Sequence, residues 1–404
     1  MSGTSGTGVS FALDDETKLI LEGLQDFIKQ EVEPLENELG ELLTHPRKGY
    51  TEEGRPVEPV VEAIDKVRRK SAEAGYYAMN LSEEVGGGGV SNVTWYAATR
   101  QAFSNGRGLN EHVVAGAEGP KPLLTLANEE QFETYVKPVI KGEKSTGFGQ
   151  TEPGVGSDSP NMSTTAEKDG DEWIINGNKQ WITNAPYADF IQVFARTTPQ
   201  SDAGRHGGIT CFLVEDDEFE LGGYNNAVGQ EGLQGEVILD DVRVPESRVL
   251  GEVDRAFYDA MEFLSLGRLE IGAQAVGLSE YLLEQAREYA TEREAFGSKI
   301  GDFQQVSSKI ATARARTYAA DSVGLRCAWK MDQNMDAIED TSILKWFATQ
   351  AYWEVADSTV QIHGGNGVSE ENPFMDHLHF ARVLRIVEGT DEIQLNTIAS
   401  QQGL

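Results

Sequence analysis

Trp173-Ile174-Ile175-Asn176-Gly177-Asn178-Lys179-Gln180-Trp181-Ile182-Thr183 sets two β-rich runs on either side of Asn-Gly-Asn. Asn-Gly enters the left-handed turn of a hairpin at little steric cost, so the stretch predicts two strands joined by a tight turn. Short runs of the same kind follow at 190–194, 209–214 and 237–244, with turn residues between them. From about residue 145 to 251 the chain therefore predicts an all-β unit, a small barrel or a sandwich.

On both sides of this unit the texture is helical. Before it, Leu19, Leu21, Leu24, Phe27 and Ile28 recur at helix spacing, and Val60, Val61, Ile64 and Val67 repeat the theme. Glycines at 86–89 interrupt the pattern with a loop. After it, 256–293, 304–331 and 342–363 carry apolar residues every three or four positions, over lengths suited to a helical bundle. Helices, strands, then helices imply an α+β chain of three domains: 14–144 helical, 145–252 β, 253–404 a helical bundle. Residues 1–13 read as a flexible tail. Met1 to Ser10 are rich in Gly, Ser and Thr and lack the basic start and apolar block of a signal peptide.

Composition narrows the function classes. The 404 residues are 39% hydrophobic, enough for real cores. No run approaches the ~18 consecutive apolar residues of a membrane span. Cys211 and Cys327 lie far apart and form no C-x-x-C, which argues against a disulfide framework or a zinc site and for a reducing cytoplasm. Asp and Glu total 66 against 34 Lys and Arg, a net charge of −32. Binding nucleic acid through phosphate contacts needs concentrated basic charge, so it is excluded. The acids are spread along the chain. Their repulsion is screened once the Debye length falls to about 3 Å at 1 M salt, so the expectation is adaptation to a salty cytoplasm.

No G-x-G-x-x-G follows a strand and no Walker loop is present, which removes the usual dinucleotide and P-loop signals. Four other stretches carry chemistry. Gly149-Gln150-Thr151-Glu152-Pro153-Gly154-Val155-Gly156-Ser157-Asp158 has the backbone freedom to approach a phosphate or a flat ring, though an ordinary Gly/Pro turn explains it as well. In Lys179-Gln180-Trp181-Ile182-Thr183-Asn184, Trp181 and Thr183 share one strand face and suit a planar heterocycle; a core Trp is the plainer reading. Gln361-Ile362-His363-Gly364-Gly365-Asn366-Gly367 is a helix end with exposed backbone, or simply a C-cap. In Ile386-Val387-Glu388-Gly389-Thr390-Asp391-Glu392-Ile393 an acid stands between apolar residues and a glycine. A carboxylate in apolar surroundings is tuned toward general-base work, whereas an acid at a helix start can also be a cap.

Together the four stretches resemble the acyl-CoA dehydrogenase family. Leu81-Ser82-Glu83-Glu84-Val85-Gly86-Gly87 and Arg293-Glu294-Ala295-Phe296-Gly297 extend the resemblance over nearly the whole chain, in the family's order and spacing. It implies a helical domain, a middle β-barrel and a C-terminal four-helix bundle, in a homotetramer. It implies FAD as cofactor. Thr151 and Thr183 are then expected to hydrogen-bond the isoalloxazine, with Trp181 and Phe148 beside it and Ser157 on the pyrophosphate. Arg293 and Phe296 are expected to reach a neighbouring subunit's FAD. Gln304, Gln361, Gly364, Gly365 and Thr390 are expected to line its adenosine and pyrophosphate end.

The same resemblance implies an acyl-CoA thioester as substrate and an electron-transferring flavoprotein as redox partner. Glu388 matches the acid of the E-G-T motif and is the expected base. Relatives that carry the base elsewhere place it just before Arg268; here that position is Gly267, which has no side chain to act. Glu388 would take the α-proton while a hydride leaves Cβ for the flavin. The Glu388 backbone N–H and a ribityl hydroxyl would polarise the thioester carbonyl. Ser265, Arg268, Val387 and Gly389 are the expected substrate contacts.

Several positions depart from the family pattern. Glu392 stands where glutamine is common, Val387 where tyrosine is frequent, and Ser265 where an acid often meets the CoA chain. Asp376, His379 and Phe380 interrupt the second signature. Asp376-His377-Leu378-His379 suggests no metal site, since i and i+2 do not face together on a helix. The alternatives are a flavin oxidase or monooxygenase on the same scaffold, which the E-G-T acid argues against, and a non-catalytic scaffold subunit.

Overall fold

The computed structural model describes residues 13–45, 48–52, 54–224 and 233–404, apart from the side chains of Tyr224 and Glu262. The tail expected over 1–13 lies outside the described residues except for Leu13. Helix α1 (Asp15–Phe27) begins where the Asp14 carboxylate accepts the Thr17 N–H at 2.7 Å, an N-cap. It runs through a π-turn into α2 (Glu33–Leu39), whose Pro34 sits in the first turn, where no donor is needed. Helix α3 (Glu58–Glu73) and helix α4 (Asn92–Phe103) follow.

Helix α4 joins the first domain to the last. Asp332 accepts from the backbone N–H groups of Asn92 and Val93 at 2.7 and 3.2 Å, and Arg100 donates to Asp321 at 2.8 Å. Leu24, Trp95, Leu269, Val276, Leu344 and Tyr352 share one apolar core across this boundary. Fully burying each large apolar side chain there is worth about 1.5–3 kcal/mol. The N-terminal helices and the bundle are therefore one helical body.

Among the described residues the middle segment has eight strands: β1 (Thr146–Gly149), β2 (Thr165–Asp169), β3 (Glu172–Thr183), β4 (Phe190–Arg196), β5 (Ile209–Glu215), β6 (Glu220–Tyr224), β7 (Gln234–Pro245) and β8 (Val249–Leu250). Their order is β6-β7-β3-β2-β4-β5-β8, with β1 parallel to β4. Among the described residues this path forms an eight-stranded sheet in which no pairing closes the ring of the expected barrel.

The expected hairpin is also corrected. Asn176-Gly177-Asn178 lies inside one continuous β3, and the real turn is one step earlier, where Asp169 pairs with Glu172. Gly177 has φ +151°, at a register shift against β7, and a Cβ there would stand 2.4 Å from Thr164 Oγ1. The glycine that reads as a turn is a bulge where Thr164 passes close by.

The chain then returns to helix: α5 (Ala256–Glu262), α6 (Leu264–Glu292), α7 (Gln304–Asp332), α8 (Ile338–His363), α9 (Phe374–Leu384) and α10 (Asp391–Gln401). The single helix expected over 256–293 breaks at Phe263. Helices α6, α7 and α8 pack on one another, α9 and α10 pack on α8, and α4 packs on α6 and α7. Between α6 and α7 a short ribbon, β9 (Glu294–Ala295) with β10 (Ser298–Lys299), carries Phe296 at its tip. Among the described residues no helix is long and apolar enough to cross a membrane.

Candidate active site

Glu388 lies in the turn between α9 and α10. Its φ is +52° and that of Gly389 is +89°, two successive residues in the left-handed region. For a glutamate this is strained, and the surroundings hold it there. Buried Lys345 of α8 donates to the Gly389 carbonyl at 2.7 Å. The Gln394 side chain donates to the carbonyls of Glu388 and Gly389, both at 3.0 Å. Arg385 binds Asp391 through two nitrogens, at 2.8 and 2.6 Å, and the Asp391 N–H donates to the Arg385 carbonyl. Thr390 caps α10 by accepting the Ile393 N–H. The helix-capping role open to Glu388 in the sequence thus falls to Thr390.

The carboxylate of Glu388 lies against α6. A Cβ built on Gly267 would stand 2.8 Å from Glu388 Oε2 and 3.2 Å from its Cδ. The missing side chain at 267 is the room that Glu388 occupies. Apolar surroundings, the sequence expectation, are not what the acid meets. Its side chain is exposed, and Arg268, Lys121, Glu270 and Lys345 all lie within reach of its charge. Arg268 is buried and donates to Ser342 Oγ at 2.8 Å; burial pushes its guanidinium down and Glu388 pulls it back. Burial likewise pushes the Lys345 ammonium down to about 8. Val387, Gly389 and Ser265 are half-buried around the same turn and the start of α6.

A second group gathers at one edge of the sheet. Phe148 on β1 is 37% exposed and packs on Phe194. Trp181 is 49% exposed with φ +60°, in a bulge between Lys179 and Ile182. Exposed Trp181 and half-buried Thr183 stand on either side of buried Ile182. The Thr151 carbonyl accepts the Gln180 N–H at 2.9 Å, which brings the 151–158 loop, with exposed Ser157, alongside β3.

Beneath this loop is a buried ion pair that the motif reading missed. Glu152 accepts from Lys179 Nζ at 2.8 Å, from the Ser163 N–H and hydroxyl at 2.6 Å each, and from the Thr164 N–H at 2.9 Å. Burial raises the Glu152 carboxyl, but Lys179 and these hydrogen bonds outweigh it and hold it at about 2. Burial pushes Lys179 down to about 8 against the pull of Glu152. The sequence does hold a signal, since Lys179 falls in the same strand parity as buried Trp173 and Ile175.

A third group lies at the opposite end of the bundle. Arg293, Phe296 (98% exposed, φ +54°), Gln304, Gln361, Gly364 and Gly365 are all exposed. Arg293 ends the helix that begins beside Gly267, so the two are roughly 40 Å apart at 1.5 Å per residue. Thr390, expected with this group, sits with Glu388 instead. The Gly389 anchor Lys345 and Gly364 are separated along α8 by roughly 28 Å.

The interrupted second signature also has a place. Asp376 on α9 accepts from Arg107 at 2.8 Å, and the Arg107 guanidinium lies 3.9 Å from the centre of the buried Phe380 ring. His379 is half-buried on the same helix, and exposed Glu392 is in the first turn of α10. Among the described residues no three His, Cys, Asp or Glu side chains gather as a metal site.

Three family models match in chain order: the N-terminal domain of acyl-CoA dehydrogenase over residues 14–143, its middle domain over 147–242 and its C-terminal domain over 254–403. The 3-(aryl)acrylate reductase of Clostridium sporogenes is 32% identical over 96% of this chain and 98% of its own. This chain belongs to the acyl-CoA dehydrogenase family. The CarC subunit of a caffeyl-CoA reductase-Etf complex from Acetobacterium woodii is 34% identical over 85% of this chain and 91% of its own. Butyryl-CoA dehydrogenase from Megasphaera elsdenii superposes with a TM-score of 0.83 at 29% identity, covering 98% and 100% of the two chains. An acyl-CoA dehydrogenase-type oxidoreductase of this family takes FAD, and the residues present fit that cofactor. Exposed Phe148 and Trp181 offer apolar ring faces, Thr151 and Thr183 on the neighbouring loop and strand carry hydroxyls, and the 154–157 loop leaves open space at Gly154 and Gly156.

Proposed function

We propose that the chain is a dehydrogenase of acyl-CoA thioesters that forms a 2-enoyl thioester, with Glu388 as the base that removes the α-proton. The observation that carries this reading is the Glu388 carboxylate in the space opened by Gly267, on a strained turn held by Lys345 and Gln394. FAD, when bound, supplies the acceptor for the hydride from Cβ. Phe148, Thr151, Trp181 and Thr183 would hold its ring, and Ser157 would meet its pyrophosphate. The Glu388 N–H polarises the thioester carbonyl as negative charge grows on it. Ser265, Arg268, Val387 and Gly389 line the substrate path. The electrons leave to an electron-transferring flavoprotein; a relative named as part of an Etf complex supports that partner.

Assembly belongs to the same reading. Arg293 stands about 40 Å along α6 from Gly267, and the family's FAD site is shared between subunits, so in this reading the Arg293 end serves the cofactor of a second copy. The α7 face bearing Ser308, Ala311, Thr312, Ala315 and Ala319 forms an open groove suited to close helix packing. The proposed assembly is a homotetramer of three-domain chains (14–144, 145–252, 253–404), working in a salt-rich cytoplasm, and light scattering tests its mass.

Two relatives are named as reductases, so the reverse direction is the second reading. Glu388 would then deliver the proton to Cα, and the redox partner would set the direction. Purified protein should be yellow, and an acyl-CoA should bleach it anaerobically. Glu388→Gln should stay yellow and lose about 10²- to 10⁴-fold in bleaching rate; full activity in that variant removes the assignment. Oxygen uptake without another acceptor would point to an oxidase or monooxygenase. Failure to bind added FAD would leave a scaffold protein.

A further inference from the structure

On α6, Gly267, Glu270 and Gln274 recur at three- and four-residue spacing and so stack on one helix face. Gly267 is the residue against which the Glu388 carboxylate lies. One turn further along that face, Glu270 accepts from Lys121 Nζ at 2.7 Å and from the Gln274 amide at 3.3 Å. Lys121 and Glu270 both feel the charge of Glu388 and that of Glu118. The pair is not sealed, since 26% of the Lys121 side chain and 10% of that of Glu270 remain accessible. From the other side, Glu118 lines a cleft together with Thr183 of β3. The Lys121–Glu270 pair therefore lies close both to the Glu388 carboxylate and to Glu118, whose cleft reaches Thr183, and on the dehydrogenase reading the acyl group passes along it.

A hydrocarbon tail laid against an ammonium and a carboxylate strips water from both and returns no hydrogen bond. A tail ending in a carboxylate has to compete with Glu270 for Lys121 and faces the Glu118 and Glu388 carboxylates besides. A hydroxyl suits the pair, because it can accept from Lys121 and donate to Glu270 at once. Resting on the dehydrogenase reading above, we propose that Lys121 and Glu270 are specificity determinants that select an acyl group bearing a hydroxyl a short way beyond the reacting carbons. A purely structural role, tying the 121–126 segment to α6, would leave the choice between hydroxylated and plain substrates untouched.

The test compares anaerobic flavin bleaching by short straight-chain acyl-CoAs with that by their ω-hydroxy counterparts of equal length. The wild-type holoenzyme should prefer the hydroxylated thioester at one length by at least about tenfold in kcat/KM. In the Lys121→Met/Glu270→Gln double variant, with bound flavin confirming the fold, that preference should disappear. Equal or better bleaching by every plain acyl-CoA in the wild type overturns the proposal, whether or not the variant folds. A preference that survives in the variant also overturns it. If no thioester of either series bleaches the flavin while another acyl-CoA does, this proposal fails and the dehydrogenase reading stands; if no acyl-CoA of any class bleaches it, both fail.

Discussion

The decisive contact at the residue scale is between a glycine and an acid. Gly267 is inside a helix, where alanine is favoured by about 1 kcal/mol. Gly267→Ala should therefore leave the fold at least as stable by chemical denaturation. Its new Cβ would crowd the Glu388 carboxylate at 2.8 Å, so kcat should fall by about tenfold or more. Opposite signs for stability and rate would mark the glycine as retained for the site. Lys345 makes a complementary case. It anchors the turn through the Gly389 carbonyl but is itself poorly placed as a charge, being buried and pushed down to about 8. Lys345→Met should cost about ten- to hundredfold in kcat/KM through a misplaced base, with a much smaller change in melting temperature. Glu388, the proposed base, is marked in the sequence by the E-G-T pattern. Lys345 carried only a faint signal, a lysine in the buried phase of an apolar helix.

For the elements, the loop before β2 is held by charge and not by its glycines. Glu152 and Lys179 close it from below, and the folded Glu152 sits at about 2 against an ordinary 4.5. A carboxyl lowered in the folded state adds stability above its unfolded value and loses it as pH falls through the folded one. That contribution should fade between about pH 4.5 and 2. Glu118, held at about 2 by His112 against the effect of burial, fades over the same window. In Glu152→Gln/Lys179→Met the acid limb of a denaturation series should be shallower than in the wild type. Glu152→Gln alone should be the less stable protein, because it strands a buried ammonium. The strand itself shows how local reading fails. Asn176-Gly177 is a sound hairpin signal, yet β3 passes straight through it, because β7 pairs along both halves and Thr164 fills the space a side chain would need.

At the scale of the whole molecule, a charge of −32 on 404 residues must repel itself in dilute buffer. The proposed salt adaptation predicts a melting temperature that rises steadily from low salt to about 1 M, over which the Debye length shrinks to ~3 Å. A melting temperature indifferent to salt across that range would show the acids already balanced by local partners such as Arg100–Asp321 and Arg248–Glu218.

Helical and β textures were readable from the sequence because they are periodic, and periodicity is a local property of the chain. The order of the three segments, the glycine at 267 and the acid at 388 were readable for the same reason: each is a residue type at a position. Tertiary structure alone decided the order in which the strands pair, that Thr390 and not Glu388 caps the last helix, and that the first and last domains share a core. It also decided which lysines meet which acids. Lys121 finds Glu270, Lys179 finds Glu152, and Lys345 finds a carbonyl 44 residues away. Those pairings join residues that no spacing rule connects, since a buried charge is satisfied by whatever the packed chain brings within reach.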